Sequence, residues 1–345
     1  MMPIPSRPNA ATQNSNRIAR YYLVREIGRG SLGAVYSARD PIVDRNIAIK
    51  TCNTRANTAE SKQIEQHFIN EARAAGRLNH PNVITIFDAG NENGMAYIAM
   101  EYLQGTELGK LNDSGKAFTP EEVATIGWKL VDAMSHAHKN GVIHRDINPS
   151  NIFMVADTEP KIFDFGIARF PNRLQDQEGE DEDAPYTLFR NNLLGTPNYM
   201  SPEQATGKPV DQLTDIYSLG AVMYELLTQR KPFIAENTAG LLELIAYKAP
   251  DAPHEVNPAV PVGLSQIVMK AMSKRPEKRY QSAEEMAQDI SRFQTMEKRG
   301  YAKVSSTLHE EEEEPEPESK PRSPALIAGI SFLAVLAAGA YYFLH

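Results

Sequence analysis

His144-Arg145-Asp146-Ile147-Asn148-Pro149-Ser150-Asn151 and, shortly after it, Ile162-Phe163-Asp164-Phe165-Gly166 place two aspartates and two asparagines among residues that favour turns. Taken singly, each acid is explained as a turn residue, because Asp and Asn bond their own backbone in tight turns. What lies upstream gives them another meaning. Residues 22–27 and 34–39 read as strands around Gly28-Arg29-Gly30-Ser31-Leu32-Gly33. A dinucleotide-binding fold needs a helix after the last of those glycines. Here Ala34-Val35-Tyr36-Ser37-Ala38 alternates with the period of a strand. The glycines therefore turn a hairpin, in which backbone N–H groups approach phosphates closely. No GxxxxGK[ST] occurs, which excludes a P-loop.

Ile47-Ala48-Ile49-Lys50 is a third short strand, ending in a lysine. The spacing from Ile64 predicts a helix with Phe68, Ala75 and Leu78 on its inner stripe, and the position completing that stripe is Glu71. A carboxylate facing inward must be paired or bear a desolvation cost. Lys50 is its natural partner. Met95-Ala96-Tyr97-Ile98-Ala99-Met100-Glu101-Tyr102-Leu103 reads as a strand leading into a linker with Gly105. Residues 121–140 form a helix with Ile126, Leu130, Ala133, Met134 and Ala137 on one side, and Gly195-Thr196-Pro197-Asn198-Tyr199-Met200-Ser201-Pro202-Glu203 follows later.

In this order (glycine turn, strand Lys, helix Glu, HRD…N, DFG, GT…PE) the motifs are specific where each alone is weak. The chain resembles the eukaryotic-type, or Hanks-type, protein kinases, most closely their bacterial serine/threonine members, over roughly residues 21–293. The resemblance implies an α+β, bilobal fold: a small β-rich N-lobe at 21–101 and a helical C-lobe at 105–295, with ATP between them. It implies that Gly28, Gly30 and Gly33 cover the phosphates. Val35 and Ala48 would sandwich the adenine, Met100 would be the gatekeeper, and Glu101 and Leu103 would present hinge backbone groups to the base. Lys50, held by Glu71, would bind the α- and β-phosphates. Asn151 and Asp164 look like ligands of Mg²⁺ or Mn²⁺, whose preference for hard oxygen donors they match. Asp146 looks like the residue that orients the substrate hydroxyl and accepts its proton. Phe165 would report active or inactive packing. Asp215, in a helix over 211–229, would hold the HRD backbone, and Glu203 and Arg279 would pair to fasten the activation segment.

One residue departs from the pattern. Serine/threonine kinases carry a lysine two positions after the catalytic Asp, and here that position is Asn148. An amide brings no charge to the moving phosphoryl group, and losing a charge-assisted contact there costs ~10²-fold or more in rate. Two readings follow: an active serine/threonine kinase with Asp146, Lys50 and Asn148 as its catalytic set, or a weakly active, pseudokinase-like scaffold. Thr196 supports the first, since the family's serine/threonine members keep a Thr facing the catalytic Asp. Arg145 suggests control by a phosphate on the activation segment. Between Phe170 and Gly195 the hydroxyl side chains are Tyr186 and Thr187, and Thr187 is the expected phosphosite.

The composition is that of a globular chain: 41% hydrophobic and 23% charged over 345 residues, with one Cys, Cys52. A single Cys excludes a disulfide framework. The net charge of −8 disfavours a nucleic-acid partner. Thirteen of the acids fall in two tracts, within 176–183 and 310–318, so the remainder carries +5. Like-charge tracts repel and are expected to be mobile. Residues 1–20 have no apolar period and read as disordered. Residues 296–324 read as an acidic, Pro-bearing linker.

Residues 325–344 contain no charged side chain and as a helix span ~30 Å, the thickness of a bilayer core. Tyr341 and Tyr342 sit where interfacial aromatics belong, and Lys320 and Arg322 precede the span, which keeps the N-terminal part cytoplasmic. The expectation is a single-pass C-terminal anchor in the cell membrane, with only His345 beyond it. Small residues at Ala325/Gly329 and Ala334/Ala338 suit close packing of two such helices in a homodimer, although such pairs also arise by chance in Ala-rich spans. The partners expected are ATP, protein substrates and the membrane.

Overall fold

In the computed structural model, residues 16–30, 33–53, 58–165 and 197–312 are described. The chain divides into two units, Met1–Thr295 and Met296–His345. The first carries both sheets and the candidate site; of the second, residues 296–312 continue the last helix.

Six antiparallel strands build the first sheet. They are β1 (Arg17–Ile18), β2 (Tyr21–Arg29), β3 (Ala34–Asp40), β4 (Arg45–Asn53), β5 (Ile86–Glu92) and β6 (Met95–Glu101), in spatial order β1-β2-β3-β4-β6-β5. The glycine motif does turn a β-hairpin: Gly28 lies opposite Val35, and the Gly30 N–H bonds the Gly33 carbonyl at 2.9 Å. The two-residue period of β4 separates two cores. Ile47 and Ile49 are buried with Tyr21, Ala38, Tyr97 and Ala99 on one face. Ala48 and Cys52 point to the other, Cys52 against Phe68 and Ala72 of helix α1 (Ala59–Ala75). That helix is shorter than its apolar spacing implies. Leu78 is buried, but it lies beyond the helix end.

The expectation of disorder over residues 1–20 fails at its last residues. Arg17 and Ile18 pair with Tyr22 and Tyr21, Ile18 and Ala19 pack on the Tyr21 cluster, and Arg20 bonds Asp40 at 3.3 Å. The edge of β2 offers unpaired backbone groups, and Asp40 and Asp88 both take the charge of Arg20. Residues 1–15 lie outside the described set.

Gly105 carries the chain out of the first sheet at φ 152°, and a Cβ there would fall 2.0 Å from the Met154 carbonyl oxygen. Glycine is therefore required. A small sheet follows, with β7 (Thr106–Glu107), β8 (Ile152–Ala156) and β9 (Glu159–Ile162) in that order. Between β7 and β8 run α2 (Leu108–Asp113) and α3 (Pro120–Lys139). Thr119 and Glu122 form a capping box at the start of α3, with Pro120 in its first turn. Its inner face buries Ile126, Leu130, Ala133, Met134 and Ala137 as the spacing predicts.

The remaining helices are α4 (Pro202–Ala205), α5 (Gln212–Thr228), α6 (Thr238–Tyr247), α7 (Pro253–Val256), α8 (Val262–Ala271) and α9 (Ala283–Glu312). Nearly every residue of α5 is buried, so it is the central post of this lobe. Helix α9 enters the stretch expected to be an acidic linker and takes in Glu310, Glu311 and Glu312. No proline interrupts it before Pro315, and backbone propagation continues where nothing breaks it. Among the described residues no helix is long and apolar enough to cross a membrane. The 325–344 segment and the rest of the acidic linker lie outside them.

A buried ion pair locks the lobe. Both guanidinium Nη atoms of Arg279 bond the Glu203 carboxylate at 2.7 Å, and Thr214 adds a third bond at 2.8 Å. Burial works against the charge on Glu203, but the hydrogen bonds and charge of Arg279 outweigh it and hold the carboxyl below its ordinary range. A depressed carboxyl contributes stability at neutral pH that is lost as pH falls through its folded value. Arg279→Met therefore costs ~3–5 kcal/mol in urea unfolding at pH 7, the range for orphaning a buried charge. The deficit shrinks in acid, below the ordinary carboxyl pKa of 4.5. An unchanged deficit at low pH would assign it to lost packing instead.

Candidate active site

Asp215 projects from the first turn of α5 and is 1% exposed. Its Oδ1 accepts the Arg145 N–H at 2.8 Å, and its Oδ2 accepts the His144 N–H at 2.9 Å. The His138 ring, on α3, donates to Oδ2 at 2.8 Å. Three donors thus satisfy a carboxylate that burial alone would penalise. They also hold Arg145 at φ 66°, a left-handed conformation that a non-glycine residue keeps only under tertiary constraint. The Arg145 carbonyl is fastened again by Gln204 of α4 at 2.8 Å.

This fixed backbone presents Asp146. His144 donates from Nε2 to the Phe163 carbonyl at 3.1 Å and accepts the Asp146 N–H at Nδ1, at 3.2 Å. One ring thereby joins the HRD and DFG segments. Asn151 donates its amide to Asp146 Oδ2 at 3.0 Å and to the Asp146 carbonyl at 2.8 Å. Asn148 donates to Asp146 Oδ1 at 3.2 Å and to the same carbonyl at 3.1 Å.

Phe165 is fully buried against the His144 ring, with centroids 4.6 Å apart. That packing turns Asp164, at φ 57°, toward the cleft, where its Oδ1 meets the Lys50 ammonium at 2.8 Å. Lys50 follows the alternation of β4 to the same face as Ala48. Glu71 falls on α1, one residue before Ala72, and its side chain is outside the described set. Thr187 and Thr196 also lie outside the described residues.

Val35, Ala48, Met100 and Leu103, to which the resemblance gives the adenine and hinge roles, gather in one apolar cluster. Ile84, Ile86, Tyr102 and Phe163 complete the cluster and were not foreseen. Phe163 precedes the DFG motif and could have been found by that adjacency; Ile84 carries no local signal. Glu101 is held by Lys161 of β9 at 2.8 Å and accepts the Thr85 N–H at 2.8 Å, so the start of the hinge is tied to the other lobe. Space at the glycine turn is uneven. A Cβ on Gly30 would meet nothing within 4 Å, whereas one on Gly33 would strike the Thr51 carbonyl oxygen at 1.8 Å. Gly33 thus serves strand packing, and Gly30 does not.

The residues fit a hard divalent cation. The Asn151 amide nitrogen is spent on Asp146, which leaves its carbonyl oxygen and the Asp164 carboxylate as oxygen donors. The apolar cluster, the glycine hairpin, the lysine and the two acids thus belong to one region, with oxygen donors and a cation beside an apolar wall.

The family model described as the protein kinase domain matches residues 21–290. Serine/threonine-protein kinase PrkC of Bacillus subtilis is 38% identical over 272 residues, covering 79% of this chain and 40% of PrkC. Serine/threonine-protein kinase PknB of Mycobacterium leprae is 35% identical over 277 residues, covering 79% of this chain and 43% of PknB. The chain therefore spans about two fifths of the length of these curated relatives. The crystal structure of the Mycobacterium tuberculosis PknI kinase domain aligns with a TM-score of 0.60 at 24% identity, covering 80% of this chain and 96% of that one, a likeness of fold.

Because Asp215 supplies the acceptors for two backbone N–H groups, Asp215→Ala leaves both without their partner. Amide exchange at His144 and Arg145 should accelerate ~10-fold or more, the equivalent of 1–3 kcal/mol per orphaned donor. Hydrogen exchange read by NMR would refute this anchor if those amides kept their protection.

Proposed function

The chain belongs to the protein kinase family, and on that premise we propose that it transfers the γ-phosphoryl group of ATP to serine and threonine hydroxyls of other proteins and of itself. The observation that carries this reading is the convergence of Asp146, Asn151, Asp164 and Lys50 on one cleft, with Lys50 and Asp164 2.8 Å apart. Phosphoryl transfer asks little covalent chemistry of a protein; it asks for positioning and for neutralisation of charge.

Each residue then has a task. The apolar cluster around Ala48 and Met100 holds the adenine, and the hinge at Glu101 and Leu103 offers it backbone groups. Lys50 binds the α- and β-phosphates under the glycine turn. Asn151 and Asp164 would hold Mg²⁺ or Mn²⁺, which supplies charge neutralisation on the phosphates. Asp146 orients the acceptor hydroxyl and takes its proton as the oxygen bonds the γ-phosphorus and the bond to the ADP oxygen breaks. Thr196 and the GT…PE segment suit a peptide acceptor by resemblance.

The test is full-length chain with labelled ATP and Mg²⁺, beside Asp146→Asn and Asp164→Asn. Incorporation into added protein and into the chain itself should fall ~10²-fold or more in both variants, the usual scale for losing a general base or a metal ligand. Chelation of the metal should abolish it. Equal incorporation in all three would instead favour the scaffold reading, in which Asn148 marks a kinase fold that no longer transfers.

We also propose that residues 325–344 form a single membrane-spanning anchor with the kinase lobes on the cytoplasmic side. Twenty uncharged, mostly apolar residues preceded by Lys320 and Arg322 support it. The full-length protein should sediment with membranes and resist alkaline carbonate, while residues 1–319 should remain in the supernatant. Identical partition of the two would end the proposal.

A further inference from the structure

Asn148 stands where the family keeps a lysine, and its side chain has two separate engagements. Its Oδ1 accepts the Ser150 N–H at 2.9 Å and so caps the short 3₁₀ turn Pro149–Asn151. Its amide nitrogen donates to Asp146, at 3.1 Å to the carbonyl and 3.2 Å to Oδ1. The backbone suits both bonds. Asn148 is extended, at φ −157° and ψ 164°, as a residue before proline and at an N-cap prefers to be. From the far end of the same turn, Asn151 donates to the other carboxylate oxygen at 3.0 Å. The Asp146 carboxylate therefore has an amide donor on each oxygen, both from one proline-stiffened turn.

We propose that Asn148 is a positioning residue for Asp146: it fixes the proton-accepting carboxylate from the side opposite Asn151. It does not stand in for the charge of the family lysine. This rests on the kinase reading above and adds a consequence that reading lacks. A lysine at 148 has donors but no acceptor, so it cannot bond the Ser150 N–H that Asn148 holds. Restoring the family residue should thus disturb this site rather than repair it. The pairing is local, since both amides and the carboxylate lie within residues 146–151.

The experiment compares full-length wild type with Asn148→Ser, Asn148→Ala and Asn148→Lys, using labelled ATP, Mg²⁺ and myelin basic protein as acceptor. Asp146→Asn sets the inactive baseline. Serine keeps an acceptor for the Ser150 N–H but is too short to reach the carboxylate, so it separates the cap from the clamp. Asn148→Ser should lower kcat ~10-fold, with the KM for ATP within about twofold and thermal unfolding unmoved, because losing part of the orientation of a general base affects the chemical step. Asn148→Ala should lower kcat as far and also lower the unfolding temperature, through the lost cap. Asn148→Lys should lower kcat too. A faster Asn148→Lys enzyme, or an Asn148→Ser enzyme with wild-type kcat, overturns the positioning role while leaving the kinase reading intact. A wild type no faster than Asp146→Asn overturns both.

Discussion

A carboxylate buried in the middle of a helical lobe is the constraint on which the site depends. Asp215 is nearly inaccessible and has three donors, two of them backbone N–H groups of the HRD segment. The dependence runs both ways. Without those donors the charge would be intolerable inside the lobe, and without the charge the left-handed turn at Arg145 would lose the acceptors of two backbone N–H groups. Because α5 is buried along almost its whole length, its position is set by packing, and the HRD loop inherits that rigidity.

From this anchor the order passes outward through short contacts. His144 carries it to Phe163 and Phe165, and the burial of Phe165 turns Asp164 toward Lys50. Gln204 carries it from Arg145 into α4, beside Glu203 with its bidentate Arg279. One connected set of bonds thus joins Asp146 to the segment around Glu203. The upper half of the cleft is built differently. There the alternation of β4 sends Ile47 and Ile49 into one core and Ala48 and Lys50 to the cleft side, so sheet geometry places the lysine and the apolar cluster together.

Much of this was legible in the residue string. Glycine spacing followed by a strand period distinguishes a hairpin from a dinucleotide fold, and the hairpin is present. The apolar side of α3 follows from its period. Other features had no local signal. Arg17 and Ile18 look like part of a featureless terminus, and their strand exists because β2 has a free edge and Asp40 and Asp88 draw Arg20. The extension of α9 through Glu312 was missed because a run of acids suggests repulsion, while the absence of a proline decided the backbone. Lys161 gave no hint of reaching Glu101, since its strand is short and its partner lies 60 residues away.

The amino-acid sequence alone determined the order of chemical groups, the periods of the strands and helices, and the points where glycine or proline must bend the chain. Those properties act over a few residues, so they survive in a one-dimensional reading. Only the tertiary structure decided which donor meets which acceptor. Lys50 reaches Asp164 across 114 residues, and Asp215 captures a loop 70 residues earlier. At Asn148 the resemblance to the family marks a missing charge, and the geometry shows an amide already bonded on both sides. The reason is physical: a hydrogen bond depends on distance and direction, and these are set by the closing of the whole fold.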